Sequence, residues 1–123
     1  MIMRKKISTK SISAVVSENY TLTLYDIEVC EWMSDETLAM HAKVALNGAP
    51  IGYVQNNGCG EGNYPNVTPQ FYDEYNDCLQ DIKKHHYHSE HPYVCDWDYN
   101  IDFLIGMMVE QYYYEKRKNF VWE

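Results

Sequence analysis

The clearest pattern in the chain is a run of hydrophobic residues at every second position within residues 37–46. The hydrophobic positions are Leu38, Met40, Ala42, Val44 and Leu46. A period of two is typical of a strand with one buried face, and the polar positions, including His41 and Lys43, would take the other face. Asn47-Gly48 then supplies two residues that tolerate positive φ in a tight turn. The stretch therefore predicts a β-hairpin.

Three further stretches extend the predicted sheet. The return strand of the hairpin begins at Ile51, and hydrophobic residues alternate with polar ones along 12–16 and again along 21–30. In the last of these stretches the residues expected to share one face are Tyr25, Ile27 and Val29. We therefore predict a small antiparallel sheet of three to four strands.

Two amphipathic helices are predicted in the C-terminal half. The first begins at Pro69 with Thr68 as its N-cap acceptor. Its apolar face consists of Phe71, Tyr75, Cys78, Leu79 and Ile82. The second spans about 97–117 and is capped by Asp96 or Asp98. Its apolar stripe consists of Trp97, Ile101, Leu104, Ile105, Met108 and Tyr112, widened by Phe103 and Met107. This order of elements predicts an α+β fold with both helices packed on one face of the sheet.

A glycine-rich loop, N-N-G-C-G-E-G-N-Y, joins the hairpin to the first helix. Successive backbone amides in such a loop can form a nest that cradles a small anionic ligand, a phosphate or a carboxylate. The candidate ligand-binding residues are Asn56, Asn57, Gly58, Gly60, Gly62, Asn63 and Tyr64. The loop does not fit the phosphate-binding templates G-x-x-x-x-G-K-[ST] or G-x-G-x-x-G, and Glu61 would oppose an anion unless it turns to solvent. A flexible turn that leaves the sheet is the alternative.

The order of motifs over 34–64 carries a family resemblance. Ser-Asp-Glu-Thr, an alternating strand, an Asn-Gly turn, a second strand and N-x-G-x-G-x-x-N-Y follow one another. This order resembles small uncharacterised proteins of bacteriophages and their bacterial hosts, which read S-x-E-T, strand, V-x-G-K, strand, N-x-G-x-G-G-x-x-x-Y and then helices. The chain departs from that pattern at Ala49-Pro50, which replaces a lysine, and at Glu61, which interrupts a double glycine. The resemblance implies a phage or mobile-element origin and brings no activity or catalytic residues.

The densest run of metal-competent side chains is H-H-Y-H-S-E-H-P-Y-V-C at 85–95. His85, His88 and His91 are spaced by three and would lie near one face of a continued helix, with Cys95 as a further candidate ligand. No C-x-x-C pair accompanies them, whereas a structural zinc site uses four ligands at fixed spacing. The alternative is a solvated helix end whose histidines titrate near neutral pH. No other cofactor is predicted.

Catalysis has little support in the sequence. His41 lies on the solvent side of its predicted strand, and no serine, cysteine or carboxylate partner is recognisable for it. The acid pair Asp73-Glu74 is better explained as favourable charge at a helix start. We therefore predict that the protein is not an enzyme.

Length and charge narrow the classes of function. A chain of 123 residues is enough for a single domain, 1–123, with 1–10 as a flexible N-terminus. The net charge of −8 disfavours direct binding of nucleic acid, because phosphate contacts need clustered lysine and arginine. No signal peptide or membrane-spanning stretch is visible, so the four cysteines are expected to be reduced and the protein soluble in the cytoplasm, that of the host cell if it is viral.

The twelve tyrosines suit either contact surfaces or a small core that buries large amphipathic rings. The leading hypothesis is a non-enzymatic binding protein of phage or mobile-element origin that binds a host protein and inhibits an antiviral defence system. One alternative is sequestration of a small phosphorylated or nucleotide ligand by the glycine-rich loop, and another is a virion or assembly component. In the ligand-binding alternative, the ligand could lie across an interface between copies of this chain, so a homo-oligomer is also considered.

Overall fold

The computed structural model describes residues 11–34, 38–60, 62–84, 100–115 and 119–120. These residues form β1 (Ser11–Val15), β2 (Thr21–Val29), β3 (Met40–Leu46), β4 (Ala49–Asn56), β5 (Asn66–Val67), α1 (Tyr72–Lys83), α2 (Ile101–Glu115) and β6 (Asn119–Phe120). The strands make one sheet in the order β5-β4-β3-β2-β1-β6. Each pair of neighbours from β5 to β1 is antiparallel, and β6 runs parallel to β1. The predicted α+β class is confirmed, but the predicted count of three to four strands is too low. β5 and β6 are 2 residues long each, too short for a period to show in the sequence.

A bulge in β2 decides which of its side chains face the core. Between Tyr25 and Glu28, β2 has two residues opposite one residue of β3, and Asp26 takes a φ of 50°. One extra residue reverses the alternation beyond it. Ile27 is therefore buried, whereas Tyr25 lies on the opposite face. The prediction that these two side chains share a face is wrong, because the bulge between Tyr25 and Glu28 shifts the alternation.

The predicted β3–β4 hairpin is confirmed, and its turn also ties the sheet together. Asn47 and Gly48 take φ values of 51° and 83°. The backbone N–H of Asn47 donates to the carbonyl oxygen of Thr21 at 2.9 Å, and its Oδ1 accepts the N–H of Thr21 at 2.8 Å. Its Nδ2 donates to the carbonyl oxygen of Asn19 at 2.8 Å. One residue thus joins this turn to the turn between β1 and β2.

The hydrophobic core lies between one face of the sheet and both helices. The sheet contributes the inward residues Ile12, Ala14, Leu22, Leu24, Ile27, Met40, Ala42, Val44, Leu46, Ile51 and Val54. The helices contribute Cys78, Ile82, Ile101, Leu104, Ile105, Met108 and Val109. All belong to one buried cluster, so both helices pack on the same face, as predicted. Burial of each large aliphatic side chain stabilises the fold by about 1.5–3 kcal/mol.

The start of α1 differs from its predicted start. Residues Pro69–Phe71 form a 3₁₀ turn in which the N–H of Phe71 donates to the carbonyl oxygen of Thr68 at 2.9 Å. The Thr68 side chain makes no capping hydrogen bond. The prediction of Thr68 as the N-cap acceptor is therefore wrong, because the tighter turn uses its backbone carbonyl instead.

The cap of α2 is Asn100. Its Oδ1 accepts the N–H of Phe103 at 3.0 Å, and its carbonyl oxygen accepts the N–H of Leu104 at 3.0 Å. This is the usual N-cap arrangement, in which a short polar side chain satisfies an N–H of the first turn. Asp96 and Asp98, which the sequence predicts as caps, lie outside the described residues, and the described part of the buried stripe begins at Ile101.

Some predicted features lie outside the described residues. They are the N-terminal segment 1–10, the charge of Glu61, the candidate metal set His85, His88, His91 and Cys95, and the ends of the second helix at 97–99 and 116–117. Neither of the two α-helices described is long and apolar enough to span a membrane.

Candidate functional site

The sheet face opposite the helices carries a compact set of polar and aromatic side chains. We call it the open face and define it by Tyr25, Asp26, Glu28, His41, Lys43, Tyr53 and Gln55. In one row Lys43 lies between Tyr25 and Tyr53, and in the next row His41 lies between Glu28 and Gln55. Directly opposed residues on neighbouring strands bring their side chains into contact range. These seven side chains therefore form one continuous surface on the three central strands β2, β3 and β4.

The bulge turns an acidic side chain toward the middle of the open face. The Lys43 Nζ lies 3.1 Å from the Asp26 Oδ2, with side chains 54% and 44% exposed. A left-handed backbone is uncommon for a residue other than glycine, and bulges commonly re-aim a side chain next to a functional site. An exposed ion pair stabilises a fold by no more than about 1 kcal/mol. Its main effect is to hold two opposite charges at a fixed place on the surface.

Two rings lie side by side on this surface. The ring centroids of His41 and Tyr53 are 5.8 Å apart and their planes differ by 26°. Tyr53 remains 44% exposed, so one side of this pair is accessible. Exposed tyrosine combines an apolar ring with a hydroxyl group that donates and accepts hydrogen bonds, which is the chemistry enriched at protein interfaces.

At the end of β2 the open face continues into a groove of about 230 Å³. We call it the Met33 groove; its lining consists of Glu28, Cys30, Met33, Ala39, Met40, His41, Gln55, Asn56 and Asn57. One wall belongs to a 3₁₀ turn, Glu31–Met33, in which Met33 is 39% exposed and Trp32 is 86% exposed. Large apolar side chains left in solvent beside polar acceptors favour contact with another molecule.

The glycine-rich loop is folded back against this 3₁₀ turn. Gly58 has a φ of 86°, and a Cβ at this position would collide with the carbonyl oxygen of Met33. The buried side chain of Asn56 accepts the N–H of Gly58 on its Oδ1 at 2.8 Å. Its Nδ2 donates to the Oδ1 of Asn63 at 2.9 Å. Two of the predicted ligand-binding side chains therefore bind each other.

The far end of the loop is fastened to α2. The N–H of Asn63 donates to the Oδ1 of Asp102 at 2.7 Å, and its Nδ2 donates to the carbonyl oxygen of Asp102 at 3.4 Å. Gly106 allows this approach, because a Cβ there would lie 3.2 Å from the Asn63 Nδ2. The Asp102 carboxylate thus already accepts a hydrogen bond from the backbone N–H of Asn63, which an anionic ligand of the loop would otherwise contact. Ligand binding by the loop stays a prediction.

A smaller cavity of about 130 Å³ lies between the loop and α2. Its lining consists of Leu38, Met40, Asn56, Asn63, Gly106, Val109 and Glu110. Of the other predicted ligand-binding residues, Asn57 lies in the Met33 groove, Gly60 and Tyr64 are exposed, and the ring of Tyr64 packs against Gly62. The structure therefore brings Asn56, Gly58 and Asn63 together and leaves Tyr64 apart at the surface.

The two side chains considered for catalysis, His41 and Cys78, lie on opposite sides of the sheet, His41 on the open face and Cys78 in the core. His41 lies on the open face, as its strand position predicts. Burial raises the pKa of the Cys78 thiol to about 12, so it is not a nucleophile near neutral pH. Within the described ranges no group of three or more His, Cys, Asp or Glu side chains is arranged to hold a metal ion. Asp26 and Glu28 of the open face were not predicted as site residues: the alternation over 21–30 places both at polar positions, but no motif marks them.

No family model, curated protein or solved structure matches this chain. The resemblance to phage proteins over 34–64 therefore stays a prediction. The chemistry that bears on function is that of the open face and of the Met33 groove.

Proposed function

We propose that the protein is a non-enzymatic protein-binding module of phage or mobile-element origin that occludes a host protein and so inhibits an antiviral defence system. The observation that carries the binding role is the open face, where Tyr25, Lys43 and Tyr53 form one row across three strands. The origin rests on the family resemblance of the sequence, and the inhibitory role follows from that origin.

The composition of the open face supports a protein partner. Protein interfaces are enriched in tyrosine and contain about one hydrogen bond per 100–200 Å² of buried area. Tyr25 and Tyr53 supply rings, Lys43 and Glu28 supply opposite charges, and Gln55 supplies an amide. A surface that served solubility alone is not expected to carry two tyrosines beside a stacked histidine.

The position of the open face supports occlusion as the mechanism. Its side chains stand on strands that are paired on both sides, while the helices anchor the reverse face through the core. A preformed surface loses little conformational entropy when a partner docks. The protein can therefore cover a functional surface of its partner without any chemical step.

Affinity capture from a bacterial lysate with paired variants tests the proposal. The tagged native chain is expected to retain a host protein that the double variant Tyr25→Ser, Tyr53→Ser loses. The control is Tyr114→Ser, which removes a tyrosine that is 68% exposed on α2, away from the open face. Circular dichroism of each variant verifies its folding.

Two outcomes would contradict the proposal. One is recovery of no partner above background by the native chain. The other is a partner that the double variant retains as well as the native chain does. Loss of the partner with Tyr114→Ser alone would move the contact surface to α2 and would likewise count against the open face.

A further inference from the structure

The Met33 groove combines apolar walls with an acidic rim. Met33, which is 39% exposed, and Cys30 contribute to the apolar part of the lining, which also includes the nearly fully buried residues Ala39 and Met40. Glu28 and His41 stand where the groove meets the open face, because both residues also line the shallow depression around the Asp26–Lys43 pair. A cavity of this type has an apolar interior and a charged entrance.

We propose that the Met33 groove binds an arginine side chain of a protein partner. This inference rests on the proposed protein-binding function and names the chemistry of the partner. An arginine carries an apolar stem that favours apolar surface and a guanidinium group that remains in polar surroundings. The stem would lie along Met33 and Cys30, and the guanidinium group would lie at Glu28.

Glu28 is placed to accept the guanidinium group. Its side chain is exposed, and it forms no ion pair with any residue in the part of the chain that the structure describes. Asp26, by contrast, is already paired with Lys43 at 3.1 Å. A carboxylate can accept two parallel N–H groups from one guanidinium, which fixes the direction of the arginine as well as its position.

Amide and ring groups beside Glu28 complete the site. The Gln55 Nε2 donates to the Oδ1 of Asn57 at 3.0 Å, an arrangement that fixes the orientation of the Gln55 amide. Its Oε1 is thereby available as a second acceptor at the rim. Arginine also stacks on aromatic faces, and the accessible His41–Tyr53 pair adjoins the groove. A lysine ammonium can also contact these rings, but it has no planar group that stacks on them or donates two parallel N–H groups to one carboxylate, so the site favours arginine.

The charge of the whole chain agrees with a basic partner. The net charge of −8 attracts a positively charged protein and repels an acidic one. Methionine side chains adapt their shape to different neighbours, which suits a groove that receives a long flexible side chain. Charge complementarity and groove chemistry therefore point to the same occupant.

The test uses the full chain and the capped tripeptide Gly-Arg-Gly as the probe, followed by amide shifts in two-dimensional NMR spectra. The probe is expected to shift the amides of Glu28, Met33, His41 and Gln55. The matched probe Gly-citrulline-Gly has the same shape without charge and is expected to leave them in place. Glu28→Gln is expected to weaken binding about five-fold, the loss of a partly exposed ion pair.

Glu18→Gln is the control variant, because Glu18 is an exposed carboxylate at the opposite end of β2. It is expected to bind the arginine probe as the native chain does. The proposal is overturned if the citrulline probe or Gly-Lys-Gly binds as tightly as Gly-Arg-Gly, if Glu28→Gln binds unchanged, or if the shifts map to another surface.

The two proposals can fail separately. A host protein captured through Tyr25 and Tyr53, together with no response to the arginine probe, would refute the groove site and leave the protein-binding function intact. A clear response to the arginine probe without any captured host protein would refute the proposed function and keep the groove as an arginine site.

Discussion

Gly58 and Gly48 both have a left-handed backbone, but their surroundings differ. Their φ values are 86° and 83°, and a Cβ would collide with the carbonyl oxygen of Met33 at Gly58 and meet nothing within 4 Å at Gly48. Gly48→Ala is expected to lower the free energy of unfolding by about 1 kcal/mol, the cost of the backbone conformation alone. Gly58→Ala adds the collision, so we expect a loss of about 2–4 kcal/mol.

Urea unfolding of both variants measures this difference, with Gly48→Ala as the matched control. Equal losses in the two variants would mean that the loop yields at no cost, and that its contact with the 3₁₀ turn contributes nothing to stability. In that case the wall of the Met33 groove at Met33 would not be rigid, because Gly58 packs directly against the backbone of Met33.

The thiols of Cys59 and Cys78 should differ strongly in reactivity. Cys59 is exposed on the glycine-rich loop, whereas Cys78 is fully buried and has a pKa raised to about 12 by burial and by nearby Asp81 and Asp77. Because the thiolate is the reactive form, iodoacetamide at about pH 8 is expected to modify Cys59 first. Peptide mass spectrometry gives the order, and denaturant should equalise the two rates. Early labelling of Cys78 in the native protein would show that α1 opens easily.

At the residue scale, the sequence locates the glycine-rich loop but not its internal contacts. Asn56, Gly58 and Asn63 are predicted as ligand-binding residues because polar side chains and glycines adjoin one another in the sequence, and that prediction stays open. Asp102 is 39 positions from Asn63, and no local pattern connects the two. Long-range hydrogen bonds of this kind follow from packing, so the sequence could locate these residues without showing what they bind.

At the scale of elements, two side-chain hydrogen bonds hold α1 to the turn between β1 and β2, and a tyrosine of α1 responds to alkaline pH. The hydroxyl group of Tyr20 donates to the Oδ2 of Asp77 at 2.6 Å, and the Ser17 Oγ donates to the Oδ2 of Asp81 at 2.7 Å. Burial raises the pKa of Tyr75 from 10.0 to about 12. A raised pKa means that the folded state holds its proton more tightly than the unfolded state does.

The contribution of Tyr75 to the free energy of unfolding is therefore complete below about pH 10 and is lost as the pH rises toward about 12. Tyr75→Phe removes the ionising group, and its stability is expected to fall less steeply than that of the native chain over this range. Urea midpoints at a series of pH values measure the slope. Tyr114→Phe is the exposed control and should follow the native slope. A Tyr75→Phe slope as steep as the native one would mean that other groups control alkaline unfolding.

Elements with a long, regular period were predicted well, and irregular ones were not. The β3–β4 hairpin and the buried stripe of α2 were predicted because seven or more residues repeat one spacing. The bulge at Asp26 was missed because one extra residue breaks the alternation, and β5 and β6 were missed because they depend on neighbouring strands rather than on their own sequence. The alternation predicts the place of His41 and Lys43 on the open face, whereas the place of Tyr25 there depends on the bulge.

At the scale of the whole molecule, the order of the strands predicts how stability is distributed. β3 lies between β2 and β4, and its inward residues are buried, whereas β5 and β6 are 2 residues long each and pair on one side in the described sheet. Backbone amides in the centre of a sheet exchange with solvent only when the whole domain unfolds, while those in short edge strands exchange through local opening. The protein should therefore have a rigid centre and labile edges.

Hydrogen–deuterium exchange followed by mass spectrometry tests this distribution. Peptides that cover β3 are expected to exchange with a free energy equal to that of global urea unfolding, and peptides that cover β5 are expected to exchange at least about 100-fold faster, a difference of about 2.7 kcal/mol. His41 and Lys43 stand on β3, so slow exchange there would mean that the open face is preformed before a partner arrives. If β3 exchanged as fast as β5, the open face would have to order itself during binding. Occlusion by a rigid surface would then be the wrong mechanism.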